Sequence, residues 1–286
     1  MSLTPAQIEM RKTGIGASEA PMVFGESPHG GPVALYLRKV GLEAASQSDE
    51  QEMGNLLEPA IARYYAQRTS ARLRPATTYR HPECPWMLAT PDRWVGRRKL
   101  LQIKCVGTWM AHHWRDADDG IPDYVRIQVT QEMDVCGVRL CDVAALIGGT
   151  QPRIYQVDYD AELAALIREE TRRFWYEHVE PRVPPAPDGT EESDALLRAL
   201  YPRERTPMVA ATPAMDAIGR ELVVARREAG AWAARRAVLE QEMKRELGNA
   251  EGAEGDGWSV TWTATAKGTR VFRFVADEDR KRGKAA

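Results

Sequence analysis

From Met53 to Gln67, Leu56, Leu57, Ala60, Ile61, Tyr64 and Tyr65 recur at helical spacing and predict an amphipathic helix after a polar loop at 44–52. Similar patterns predict helices over residues 4–12, Pro32–Val40 (stopped by Gly41), Trp109–Trp114, Pro122–Cys136 and Asp160–His178. Ser18 is the expected N-cap of a further short helix running through Phe24. Between the helices the period changes to two. The apolar run Trp86–Ala89 and the alternating run Leu100–Val106, joined by a basic turn from Arg93 to Lys99, predict a β-hairpin. Two more strands are predicted around Gly148-Gly149, over Cys141–Gly148 and Arg153–Asp158. Helices interleaved with strands over residues 1–180 make an α/β core.

Residues 181–190 are rich in proline and mark a boundary. The expected organisation is a core at 1–180, a Pro-rich linker at 181–211, and an appendage at 212–286. The appendage opens at Thr212-Pro213 with a helix that runs to Gly248, roughly 50 Å at 1.5 Å per residue. Along it Met215, Ile218, Leu222, Ala225, Ala229, Trp232, Arg236, Leu239 and Met243 step as a heptad seam, which suits packing on its own chain or on a second copy. A terminal β-hairpin, Trp258–Ala264 and Arg270–Val275, places Trp258, Val260 and Trp262 on one face, assigned to a core rather than to a base-stacking platform. A short basic tail, Arg280 to Lys284, follows.

The 39 basic and 41 acidic side chains among 286 residues nearly cancel, so any nucleic-acid footprint must be local. Cys84, Cys105, Cys136 and Cys141 show neither CxxC pairs nor disulfide-framework spacing, and read as reduced thiols rather than metal ligands. No apolar run approaches membrane-spanning length and the N-terminus is polar, so a soluble cytoplasmic protein is expected.

The candidate chemistry sits on the predicted hairpin. Side chains two apart on a strand share a face, which places Gln102 and Lys104 together, with Asp92 at the hairpin's mouth. A carboxylate, a second oxygen ligand, a backbone carbonyl and a lysine suit Mg²⁺-assisted hydrolysis of a phosphodiester. Upstream, Thr13 to Ala20 is a glycine-containing loop entering a helix. Backbone amides there, with Arg11 nearby, suit a terminal phosphate. On the predicted helix Pro122–Cys136, Gln128 and Gln131 lie three apart beside Glu132, a face that can turn toward a polar groove.

Pro91-Asp92, nine residues, then Gln102-Ile103-Lys104 resembles the PD-(D/E)XK nuclease motif, with Gln where that motif has Glu or Asp. Six runs, two of them containing that motif, bring the resemblance to the YqaJ-type viral recombinase family, relatives of phage lambda exonuclease. They are Gly14-Ile15-Gly16-Ala17-Ser18-Glu19, Gly54-Asn55-Leu56-Leu57-Glu58-Pro59, Ala89-Thr90-Pro91-Asp92, Leu101-Gln102-Ile103-Lys104, Ile121-Pro122-Asp123-Tyr124 with Gln128, and Leu146-Ile147-Gly148-Gly149. The resemblance implies a restriction-endonuclease-like core, a mixed sheet flanked by helices, and Mg²⁺- (or Mn²⁺-) dependent 5′ to 3′ exonuclease activity on double-stranded DNA. The exposed 3′ strands would serve a phage single-strand annealing protein. By position it implies Asp92, Gln102 and the Ile103 carbonyl as metal ligands, Lys104 as catalytic lysine, and Glu58 and Gln128 as further site residues. Arg11, Ser18 and Thr90 fall where relatives hold a 5′-phosphate. A basic residue that some relatives carry after the lysine motif is replaced by Met110. Trimeric rings occur in the lambda branch, so a homo-oligomer is a further implication.

Gln102 keeps the shape of a Glu and removes its charge, so weaker metal binding and slow or absent cleavage are expected of this chain. The alternatives are a structure-specific endonuclease of the same fold and a catalytically silent protein that binds DNA ends.

Overall fold

The computed structural model describes residues 5–42, 49–115, 120–203, 208–265 and 268–276. Most of the polar loop expected at 44–52 and the whole basic tail lie outside them.

Helices and strands alternate through the first unit, which extends to Tyr201. Its helices are α1 (Pro5–Arg11), α2 (Ala20–Val23), α3 (Pro32–Val40), α4 (Asp49–Thr69), α5 (Asp123–Cys136), α6 (Ala161–Phe174) and α7 (Glu191–Leu200). Its strands are β1 (Ile15–Gly16), β2 (Leu73–Pro75), β3 (Tyr79–Arg80), β4 (Met87–Ala89), β5 (Arg93–Val95), β6 (Lys99–Val106), β7 (Leu140–Ile147) and β8 (Gln151–Asp158). The central sheet has the order β2-β5-β6-β7-β8. β6 and β7 run parallel and every other neighbour is antiparallel. A small second sheet, β1-β4-β3, stands apart from it.

Strand alternation divides β6 between two helices. Leu101 and Ile103 face α4, where they pack with Ile61, Ala62 and Tyr65. Leu100 and Val106 face α5, where Val125, Val129 and Met133 close the larger cluster. Gln102 and Lys104 share the parity of Leu100, so α5 is the helix above them. That is how an alternating strand delivers two polar side chains to one side of a buried sheet.

The expected hairpin forms with a different partner. β6 pairs with β5, Arg93 opposite Leu101 and Val95 opposite Lys99, around a turn at Gly96. The apolar run instead becomes β4 of the small sheet, parallel to β1. The bend at Thr90-Pro91 separates the two strands, and proline has no N–H to continue a ladder. Ser18 is not a helix cap: Glu19 takes that position without a side-chain capping bond. The helix over 53–67 begins earlier, at Asp49, and continues through Pro59.

Inside the segment expected as linker, α7 is capped by Thr190, whose hydroxyl accepts from Ser193 N at 3.2 Å. Leu196 packs into the cluster built on α3. The boundary between the two units of the chain falls between Tyr201 and Pro202, after this helix.

The second unit contains α8 (Pro213–Leu247), capped by the Thr212 hydroxyl, and an antiparallel sheet of β9 (Gly252–Gly255), β10 (Trp258–Ala264) and β11 (Arg270–Ala276). Trp258 stacks on Phe274, and Arg270 lies over the Trp262 ring. The seam residues Met215, Ile218, Leu222, Trp232 and Leu239 are exposed. Among the described residues no helix is long and apolar enough to cross a membrane.

Candidate active site

One cavity of about 760 Å³ is lined by all nine of the site residues that the resemblance implies. Asp92, Gln102, Ile103 and Lys104 come from the β5–β6 region, Glu58 from α4, and Gln128 from α5. Arg11, Ser18 and Thr90 join the same lining, while Met110 is absent from it.

Asp92 is fixed by the strand it serves. Its Oδ2 accepts from Ile103 N at 2.6 Å, which aims the carboxylate across the middle of β6. Desolvation pushes its carboxyl pKa up, against the pull of the Ile103 amide and the Lys104 charge. Lys104 Nζ donates to Gln128 Oε1 at 2.7 Å. Burial pushes the ammonium's pKa down, while Asp92 and Glu132 oppose that shift. Gln102, 5% exposed, turns its amide nitrogen to the Ile103 carbonyl at 3.3 Å and leaves Oε1 buried without a donor among the described residues.

Glu58 enters from the α4 turn containing Pro59 and pairs with Arg93 Nη1 at 2.8 Å. Gln128 passes the chain of contacts onward, its Nε2 donating to Glu132 Oε1 at 2.9 Å. Gln131 does something else. Its Nε2 donates to the carbonyls of Ile15 and Leu88 and so ties α5 to both β1 and β4. The shared polar face of the two amides therefore splits into one residue for the cavity and one for the scaffold.

At the other end of the cavity, Arg11 Nη2 donates to Ser18 Oγ at 2.8 Å and stands 3.9 Å from Glu19. Gly16 N donates to Glu19 Oε2, and Lys39 Nζ reaches the same oxygen at 2.6 Å. Burial pushes the Glu19 carboxyl up, but the charges of Lys39 and Arg11 with these hydrogen bonds hold it below its ordinary value. The side chain of Thr90 shares a hydrogen bond with Thr78, 2.9 Å away. Glu19, Lys39, Arg93 and Glu132 were not assigned roles from the sequence. The i, i+4 spacing of Gln128 and Glu132 was the readable signal for the last of them.

The residues present fit a hard divalent cation. Asp92, Gln102 Oε1 and the Ile103 carbonyl are all oxygen donors, and the orphaned amide oxygen lacks the partner a buried acceptor requires. Among the described residues no three His, Cys, Asp or Glu side chains converge as a metal cluster.

Residues 8–139 match the YqaJ-like viral recombinase domain. The chain is 29% identical over 251 residues to the uncharacterized protein YqaJ of Bacillus subtilis (strain 168), which spans 85% of this chain and 78% of that protein. Its fold is similar to LHK-Exo, an alkaline exonuclease from Laribacter hongkongensis, at a TM-score of 0.52 and 22% identity over 69% of this chain and 98% of that one. The LHK-Exo complex with dAMP gives a TM-score of 0.53 over the same shares. Residues 8–139 are thus similar to a YqaJ-like viral recombinase domain, and the fold of the chain is similar to that of LHK-Exo.

Proposed function

We propose that the chain is a metal-dependent exonuclease acting on the ends of linear double-stranded DNA, degrading one strand 5′ to 3′ and leaving 3′ single-stranded tails. The observation that carries this reading is the convergence of Asp92, Gln102, Ile103 and Lys104 with Arg11 and Ser18 in one cavity. A hydrolytic centre and a site for a terminal phosphate in the same cavity suit a substrate that enters end first. LHK-Exo bears the name of an exonuclease and was crystallised with a nucleotide. The reading extends that substrate class to this chain.

Asp92, Gln102 Oε1 and the Ile103 carbonyl would hold Mg²⁺ or Mn²⁺. When bound, the cation would stabilise charge on phosphodiester oxygens and acidify water. The chain's own contribution is orientation and proton handling. The Ile103 amide holds Asp92 in place, and Gln128 holds Lys104. Because burial eases its deprotonation, Lys104 Nζ is suited to accept a proton from the attacking water or to stabilise the leaving oxygen. Glu58, neutralised by Arg93, shapes the opposite wall. Arg11 and the Gly16–Ser18 loop offer donors to a 5′-phosphate. With one carboxylate fewer on β6 than the family motif prescribes, cleavage is slower than a Glu at position 102 would allow. The partners on this reading are the DNA end, a single-strand annealing protein and, through the exposed seam of α8, a second copy of the chain.

A 5′-phosphorylated linear duplex and a nicked circle, each with Mg²⁺ or with chelator, test the reading. Metal-dependent shortening of the linear DNA from its 5′ ends, with the circle intact, is the expected result. Cutting of the circle would reassign the chain as a structure-specific endonuclease. An absence of metal-dependent turnover would leave a protein that only binds DNA ends.

A further inference from the structure

The cavity holds a carboxylate that the nuclease motif does not specify. Glu132 lies one turn beyond Gln128 on α5 and is 1% exposed. Its Oε1 accepts from Gln128, while Oε2, equally buried, has no hydrogen-bond donor among the described residues. On the strand facing it, Gln102 Oε1 is in the same condition. Both residues line the cavity that contains Asp92 and Lys104.

A buried acceptor left without a donor costs on the order of 1–3 kcal/mol, and more when it is charged. Two such oxygens lining one cavity call for an occupant that is positive and accepts several ligands at once. Lys104 and Arg93, which line the same cavity, are already engaged, Lys104 with Gln128 and Arg93 with Glu58. The remaining donors are all oxygens, which favours a hard divalent cation over a soft one.

We propose that Glu132 supplies the second anionic ligand of this chain's divalent-cation site, performing from α5 the role that Gln102, an amide, cannot perform from β6. The cation is then shared by Asp92, Glu132 and the neutral oxygens of Gln102 and Ile103. The Ile103 carbonyl accepts from Gln102 Nε2 and keeps a second lone pair for a ligand bond. Gln128 becomes the hinge of the arrangement, since it holds Lys104 by its oxygen and Glu132 by its nitrogen. A carboxylate on the helix restores binding of the cation, while cleavage stays slower than with a carboxylate on β6.

This inference rests on the reading of the cavity as a metal-dependent hydrolytic site, and the test separates the two. Mn²⁺ binding to the full chain, without DNA, is measured by the loss of the free-ion electron paramagnetic resonance signal, with near-ultraviolet circular dichroism as the check on folding. Glu132→Gln keeps an acceptor for Gln128 and should weaken Mn²⁺ binding by on the order of tenfold or more. Asp92→Asn should weaken it as much. Adding Gln102→Glu to Glu132→Gln should restore affinity, because the carboxylate returns to the cavity from the other side. If Glu132→Gln binds Mn²⁺ like the unaltered chain while Asp92→Asn does not, the role of Glu132 is overturned and the hydrolytic site stands. If Glu132→Gln loses binding and Gln102→Glu fails to recover it, Glu132 only supports the fold, and the proposal is again overturned. Undiminished binding in Asp92→Asn overturns the hydrolytic site and this proposal with it. Should Glu132→Gln not fold, Glu132→Asp carries the test: weakened binding upholds the proposal and unchanged binding overturns it.

Discussion

Lys104 Nζ donates to Gln128 Oε1 across 2.7 Å, joining the middle of β6 to the first half of α5. An ammonium in this cavity would otherwise swing toward Asp92, whose charge attracts it. Gln128 therefore sets where the lysine stands relative to Asp92 and Gln102. Gln128→Met keeps the volume and removes the acceptor. It is expected to lower single-turnover DNA digestion on the order of 10- to 100-fold, while DNA binding in gel-shift assays stays near that of the unaltered chain. Equal losses in binding and turnover would make Gln128 a general structural residue.

Burial, with the nearby Asp92 charge, pushes the Glu132 carboxyl up to about 8 from an ordinary 4.5. Without metal, the folded chain then retains a proton between these values that the unfolded chain releases. The stabilisation is fully present below pH 4.5 and is lost as pH rises through about 8. Urea midpoints in chelator at pH 5 and pH 8 should therefore differ more for the unaltered chain than for Glu132→Gln. Identical pH dependence in the two would place the Glu132 proton elsewhere.

At the other end of the cavity, Arg11 is held by Ser18 and lies beside Glu19. If its guanidinium clamps a terminal phosphate, Arg11→Ala should cut the preference for 5′-phosphorylated over 5′-hydroxyl duplex by about tenfold, since one charge-assisted hydrogen bond is worth roughly 1.5–3 kcal/mol. A parallel loss on both substrates would show a general electrostatic role.

Strand alternation was enough to place Gln102 and Lys104 together, because a period of two leaves no choice of face. The same pattern could not tell which strand would pair with β6. Arg93-Trp94-Val95 is short and begins with a charge, so it resembles a turn, whereas Met87–Ala89 looks like the better strand and in fact joins β1. Helix α7 was hidden by the prolines before it and by its polar surface, with Leu196 its main core contact. The value of Glu132 was concealed for a related reason. An acidic residue on a helix is usually solvated, and only the packing of α5 over β6 shows this one to be buried.

The seam on α8 is exposed at Met215, Ile218, Leu222, Trp232 and Leu239, an apolar surface that pairing with a second copy would cover. Trp232→Glu combined with Leu239→Glu in the full chain should lower the particle mass measured by light scattering. An unchanged mass would remove α8 from the assembly contacts.

The central claim is that Asp92 and the strand β6 form a metal-dependent nuclease centre. Its most direct test compares Gln102→Glu with the same chain carrying Asp92→Ala as well, on 5′-phosphorylated linear duplex DNA in Mg²⁺. The account predicts that Gln102→Glu releases nucleotides faster than the unaltered chain and that adding Asp92→Ala stops the release. Digestion that persists without Asp92, or that is absent from both the unaltered chain and Gln102→Glu, would contradict it.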